Sequence, residues 1–232
     1  FKAKGIIFFK TTKNQFRIDT MHGSPSVNMG YRASKSKFNK LWKHENAFDF
    51  ILCMSDFFKG IVKESYGASD AQCLILGYPR NDMIFCKSES LNKLNISKEE
   101  YKKIILWMPT WRENIYSKIS SAYFPILNKD NIESLNHYLK ENDILLILKP
   151  HPYQAELEIF NVNHSNIKVI KREDINKNNV FQYQIFSETD ALLTDYSSVY
   201  FDYLLTMKPI GFTIDDYDDY SKKIGFVVNN PL

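Results

Sequence analysis

A chain of 232 residues, 44% hydrophobic and 15% aromatic, carries enough apolar area for one large core or two smaller ones, which excludes global disorder. Thirty Lys and Arg against 27 Asp and Glu leave a net charge of only +3, which argues against a dedicated nucleic-acid binder. No apolar run approaches the roughly 18 residues of a membrane span and no signal-peptide pattern opens the chain. Three scattered cysteines, Cys53, Cys73 and Cys86, form no zinc pattern and point to reduced thiols in a cytoplasmic protein. A first residue of Phe1 rather than Met points to a fragment.

In chain order, strands are predicted over residues 6–9 and 16–21, the second running into "MHGSP". A basic helix is predicted over 33–44. There Arg32, Lys35, Lys37, Lys40 and Lys43 flank Phe38, Leu41 and Trp42 at helical spacing. Such a helix can pack its apolar stripe and solvate the rest, or lie on a membrane surface. A strand over 48–54 leads to Ser55 as the cap of a helix over 56–65, and a strand over 73–76 ends in "GYPRND". Ser97 and Glu100 have the spacing of a capping box. Strands over 104–108 and 144–148 end in "PTWR" and "KPHP", with a helix over 131–140 between them. Further strands fall at 167–170, 191–194 and 210–214, with helices over 180–187 and 198–206.

Strands alternating with helices imply βαβ units and mostly parallel sheets, whose ligands sit beyond the carboxyl ends of the strands. Four polar clusters, "MHGSP", "PTWR", "KPHP" and "TDYSS", fall at such ends, which favours a ligand site over four unrelated turns. The expected division is a partial N-terminal α/β domain over 1–83 and a fuller, nucleotide-type α/β domain over 84–232.

Each cluster offers a definite chemistry. His22, beside Gly23, suits a general base because histidine is the side chain whose ordinary titration falls near working pH; the alternative is a histidine that only bonds the turn. Lys149 and His151, held by two prolines, can grip phosphate oxygens, or belong to a rigid exposed turn. Thr110 offers a hydroxyl and Arg112 a five-donor fork for a ligand, unless Arg112 is a structural ion-pair partner. Trp107 and Trp111 read as core and wall. Ser197 and Ser198 stand where a helix begins, as caps or as the rim of a phosphate site. The acidic run 213–223 matches no calcium loop and is expected to be a solvated loop.

Taken in order, "MHGSP", "GYPRND", "PTWR", "KPHP" and "TDYSSVYFDYLLTMKPIGF" resemble the CDP-glycerol glycerophosphotransferase family, the teichoic-acid primases and polymerases with related capsule polymerases. The resemblance covers about residues 15–226. It implies a GT-B-type fold, two Rossmann-like parallel-sheet domains, with the N-terminal one short for a complete domain and expected to be incomplete. It implies transfer of glycerol phosphate, or ribitol phosphate, from CDP-glycerol or CDP-ribitol to a hydroxyl of a lipid-linked or polysaccharide acceptor, with CMP released. It implies His22 as catalytic base, with His151 as the second catalytic residue. It implies His151, Ser197 and Ser198 on the donor pyrophosphate, with Thr110, Arg112, Thr194 and Asp195 near it; Gly23, Arg80 and Asp82 are the candidate cleft residues. No cofactor is expected to be obligatory, Mg2+ being the ion the chemistry would admit. The expected place is the cytoplasm, with the inner membrane face as a candidate surface and no nucleic-acid partner. The alternatives are a GT-B transferase using a nucleotide sugar and a truncated, non-catalytic nucleotide-binding module.

Overall fold

The structure, a computed structural model, describes residues 12–32, 48–110, 124–125, 127–152 and 164–227. The predicted strand at 6–9 and basic helix at 33–44 lie outside them, as do Trp111 and Arg112. The chain forms two units, residues 1–79 with 224–232, and residues 80–223.

In the first unit, β1 (Ile18–Asp19), β2 (Phe50–Cys53) and β3 (Cys73–Ile75) form a parallel sheet in that order. The helix α1 (Asp56–Tyr66) follows β2. Ser55 caps it as predicted, its hydroxyl accepting from the Phe58 amide at 3.4 Å. Gly67, at φ 71°, ends it in the left-handed conformation that glycine adopts without strain. Asp56 in the first turn and Lys63 in the last both complement the helix dipole. Its apolar face meets a core of Met21, Ile51, Leu52, Cys53, Val62, Cys73 and Tyr78. Burial pushes the Cys53 thiol up to about 12, so this cysteine is a packing residue.

The second unit is a five-stranded parallel sheet of order β6-β5-β4-β7-β8. Its strands are β4 (Lys103–Trp107), β5 (Ile144–Leu148), β6 (Ile167–Val169), β7 (Ala191–Thr194) and β8 (Ile210–Phe212). Period-two alternation divides the core cleanly. Ile104, Leu106, Leu145, Ile147 and Leu192 face one cluster. That cluster is covered by α2 (Ser90–Lys93), α4 (Arg172–Lys177), α5 (Gln182–Glu188) and α6 (Val199–Tyr203) through Leu91, Ile175, Ile185, Phe186, Val199 and Tyr203. Trp107, Leu146 and Leu148 face the other, against α3 (Ile132–Glu141). Lys208 donates to the carbonyls of Phe186, Ser187 and Thr189 at 2.6–3.1 Å, a cation at the C-terminal end of α5.

Four expectations are corrected. The acidic run holds a helix, α7 (Tyr217–Lys223), with Asp218 and Asp219 in its first turn and Lys222 and Lys223 in its last. This charge order suits the helix dipole, which is why a run read as a loop is helical. Ser97 opens only a 3-10 turn over Lys98–Glu100 without a side-chain cap, because β4 begins at Lys103 and leaves no room for an α-helix. The division between units falls after Pro79 rather than 83, because Arg80 and Asn81 bond to Asp202. The C-terminal segment from Ile224 belongs to the first unit: Phe226 bridges Val27, and Arg32 donates to the Val227 carbonyl at 2.9 Å.

Candidate active site

The sheet order of the second unit has its switch point between β4 and β7. The chain moves from β4 outward through β5 and β6, then resumes at β7 on the other side. Loops leaving there in opposite directions open the crevice in which α/β sheets bind ligands. Thr110 follows β4, Lys149 and His151 follow β5, and Asp195, Ser197 and Ser198 follow β7. These sequence-predicted residues therefore share one carboxyl edge.

They divide into two kinds. Thr194, fully buried, donates its hydroxyl to the Met108 carbonyl at 2.7 Å. Asp195, also fully buried, accepts from the Thr110 amide at 2.9 Å through both oxygens and from the Thr110 hydroxyl at 2.5 Å. Tyr196 donates to Asp216 at 3.0 Å and stacks on Tyr220 at 3.9 Å between ring centroids. Thr194 and Asp195, expected on the donor, are thus built into the scaffold. They tie the end of β7 to the end of β4, and burial keeps them from the surface a ligand meets.

Lys149 and His151 are the other kind. Among the described residues no carboxylate pairs with the half-buried Lys149 amine. Desolvation, then the nearby Arg172 guanidinium, lowers its pKa to about 8. Burial and the Lys149 charge push the His151 imidazole below its ordinary value, so near neutrality it is uncharged and still carries one N–H donor. Arg172, the first residue of α4 after the neighbouring strand β6, was missed by sequence reasoning. The available signal was a basic residue just past a strand end.

Ser197 and Ser198 are half-buried at the start of α6. Ser198 is the N-cap position but sits at φ −61° and ψ −9° and makes no side-chain cap. The Ser197 hydroxyl accepts from the Val199 amide at a long 3.4 Å. The bland capping explanation thus accounts for little of the serine pair. The helix has only five residues, so its dipole is small, and the hydroxyls and backbone amides are what the turn offers a ligand.

The remaining predicted residues lie elsewhere. His22 is exposed, while Gly23, Ser24, Pro25 and Ser26 behind it are buried. Met21, at φ 51°, donates its amide to Asp19 at 2.8 Å, and Ser24 reaches the Met54 sulfur at 3.1 Å and the Tyr78 hydroxyl at 3.3 Å. The turn is held without the imidazole. Arg80, expected in a cleft, is committed to Asp202 and Tyr183, and Asp82 is exposed on the 3-10 segment Pro79–Ile84. No group of acidic, histidine or cysteine side chains among the described residues has the arrangement of a metal site, and no described helix is long and apolar enough to cross a membrane.

The family described as CDP-Glycerol:Poly(glycerophosphate) glycerophosphotransferase matches residues 2–231. The teichoic acid poly(glycerol phosphate) polymerase of Staphylococcus epidermidis is 24% identical over 98% of this chain and 32% of its own length. The teichoic acid glycerol-phosphate primase of Bacillus subtilis is 31% identical over 84% of this chain and 47% of its own length. The solved wall teichoic acid polymerase TagF shares the fold, with a TM-score of 0.71 at 24% identity over 95% of this chain and 55% of that one. The chain thus spans about half or less of the length of these relatives. Its α/β architecture of two parallel sheets is the expected GT-B type, and the chain belongs to the CDP-glycerol:poly(glycerophosphate) glycerophosphotransferase family.

Proposed function

We propose that this chain carries the transfer of glycerol phosphate, or another alditol phosphate such as ribitol phosphate, from a CDP-activated donor to an acceptor hydroxyl in teichoic-acid or capsule synthesis. The observation that carries the reading is the half-buried Lys149, which pairs with no carboxylate among the described residues, at the switch-point edge, beside His151 and across β4 from the two serines. A buried cation without a protein counter-charge is costly by itself and favourable once an anion arrives. A diphosphate is the anion this family's donor supplies.

In the proposed mechanism His22 takes the proton of the acceptor hydroxyl. The acceptor oxygen then attacks the phosphorus that bears the glycerol, in line with the bond to CMP. The new P–O bond forms as the old one breaks, and CMP leaves with the electron pair as a phosphate. Lys149, the His151 N–H and the serine hydroxyls stabilise that developing charge, so no metal is required of the reaction. The acceptor is proposed to be lipid-linked or a glycan, met at the inner membrane face.

The test is CMP release from CDP-glycerol and from CDP-ribitol with a lipid-linked acceptor, with and without EDTA. Acceptor-dependent release is expected from the wild type. His22→Ala is expected to lower it by about 10²–10⁴-fold while leaving donor affinity intact. Donor binding without release by the wild type would favour the non-catalytic module, and loss of release in EDTA would overturn the metal-free mechanism.

A further inference from the structure

A buried carboxylate that belongs to none of the edge loops lies in the second unit. Asp202, 1% exposed, is on α6, one turn beyond Ser198. It accepts from Asn81 at 3.0 Å, from the Tyr183 hydroxyl at 2.9 Å, and from Arg80 at 3.3 and 3.4 Å. Arg80 also donates to the Tyr183 hydroxyl at 2.9 Å, and its guanidinium carbon lies 5.5 Å from that ring's centroid. One carboxylate thus gathers three elements: the segment that opens the second unit, α5 and α6.

Stability alone does not account for this arrangement. Replacing a buried ion pair with well-packed apolar side chains is commonly neutral or stabilising, so an ionic cluster in a core is better explained by what it orients. What it orients here is short. A helix of five residues has little stability of its own, and its seat in the core rests on Val199 and Tyr203, one turn apart on a single face. Four hydrogen bonds from three side chains converge on Asp202, the residue before Tyr203, and lock the rotation of the helix. The serine pair immediately precedes this helix, so the rotation sets where its two hydroxyls emerge.

We infer that Asp202, with Arg80 and Tyr183, is a positioning residue for the donor: it holds α6 so that Ser197 and Ser198 meet the donor's phosphates. This rests on the donor reading given above. It also gives Arg80 a role different from the cleft contact expected of it.

The test uses the full chain and measures affinity for CDP-glycerol and for cytidine, which lacks phosphate, in wild type, Asp202→Asn, Tyr183→Phe and Ser197→Ala. Asp202→Asn is expected to weaken CDP-glycerol binding about tenfold and cytidine binding less than twofold. Tyr183→Phe, which keeps the ring and removes one bond, is expected to cost CDP-glycerol about three- to fivefold, and it keeps the test decisive if Asp202→Asn does not fold. Combining Ser197→Ala with Tyr183→Phe should cost less than the product of the two, because both act on one contact. Equal losses for both ligands, fully multiplicative losses, or no loss in Tyr183→Phe would overturn the assignment. A wild type that binds CDP-glycerol no better than cytidine would defeat the donor reading itself, a separate result that takes the assignment with it.

Discussion

The loops on either side of β4 are built in opposite ways. Beyond β7, Thr194, Asp195 and Tyr196 each commit a polar group to a neighbour, and it is the serine pair after them that is proposed to meet the donor. Beyond β5, Lys149 is half-buried and unpaired among the described residues, and His151 is held toward neutrality. A satisfied buried network rigidifies, whereas an unpaired buried cation holds potential for an incoming anion. The buried residues at the end of β7 therefore act as a frame for the serine pair, whereas Lys149 is proposed to receive the anion itself, and variants should separate the two.

The largest effect is expected from Asp195→Ala, which leaves the Thr110 amide and hydroxyl without their acceptor. It should lower unfolding free energy by about 3 kcal/mol, read as a fall in the urea midpoint at unchanged slope. A midpoint close to that of the wild type would mean that β7 does not depend on this clamp.

Lys149→Met should behave in the opposite sense. Donor binding should weaken by about 2–3 kcal/mol, while the fold becomes more stable near neutral pH. The folded pKa, about 8, lies below the 10.5 of a free lysine, so between those values the unfolded chain binds more protons. The destabilising contribution of Lys149 is thus fully present below about pH 8 and fades as pH rises toward 10.5. Denaturation of both proteins across pH 7–11 should show the stability gap closing over that window. A constant gap would remove the electrostatic explanation. Wild-type donor affinity should decline above about pH 8, and this decline should be absent in Lys149→Met.

The smallest effect sharpens the contrast. Tyr196→Phe removes the bond to Asp216 and keeps the ring that stacks on Tyr220. A loss of about 1 kcal/mol in stability with donor affinity unchanged is expected. A fall in affinity instead would move Tyr196 from the frame to the receptor.

Much of this frame is legible in the sequence. "ILLIL" and "ALLT" are strands over the residues predicted, because strands buried on both faces read as unbroken apolar runs. The predicted strand 16–21 is paired only over Ile18–Asp19, with Phe16 74% exposed, so its apolar character reflects composition more than burial. The asparagine-rich stretch that holds α4 gave no helical signal; the Lys171 amide donating to Asp174 at 2.8 Å supplies its start. Cluster membership at the edge was readable because strand ends carry it. The use of each side chain was not, since Asp195 is paired across 85 residues and Arg80 across 122. Sequence spacing holds no record of such partners. Nor does it hold the burial that separates Lys149 from an ordinary surface lysine.

That burial has a consequence for reactivity. Lys208 has its ammonium group committed to three carbonyls, and acylating reagents should reach it slowly. Lys149, with a pKa of about 8, is a free amine in roughly one molecule in ten at pH 7, against fewer than one in a thousand for an ordinary lysine. It should react faster than Lys208 with an electrophile small enough to enter. An anion seated there would both restore its proton and cover it. The rate of acylation at this single amine would then serve as a gauge of whether the edge is empty or filled.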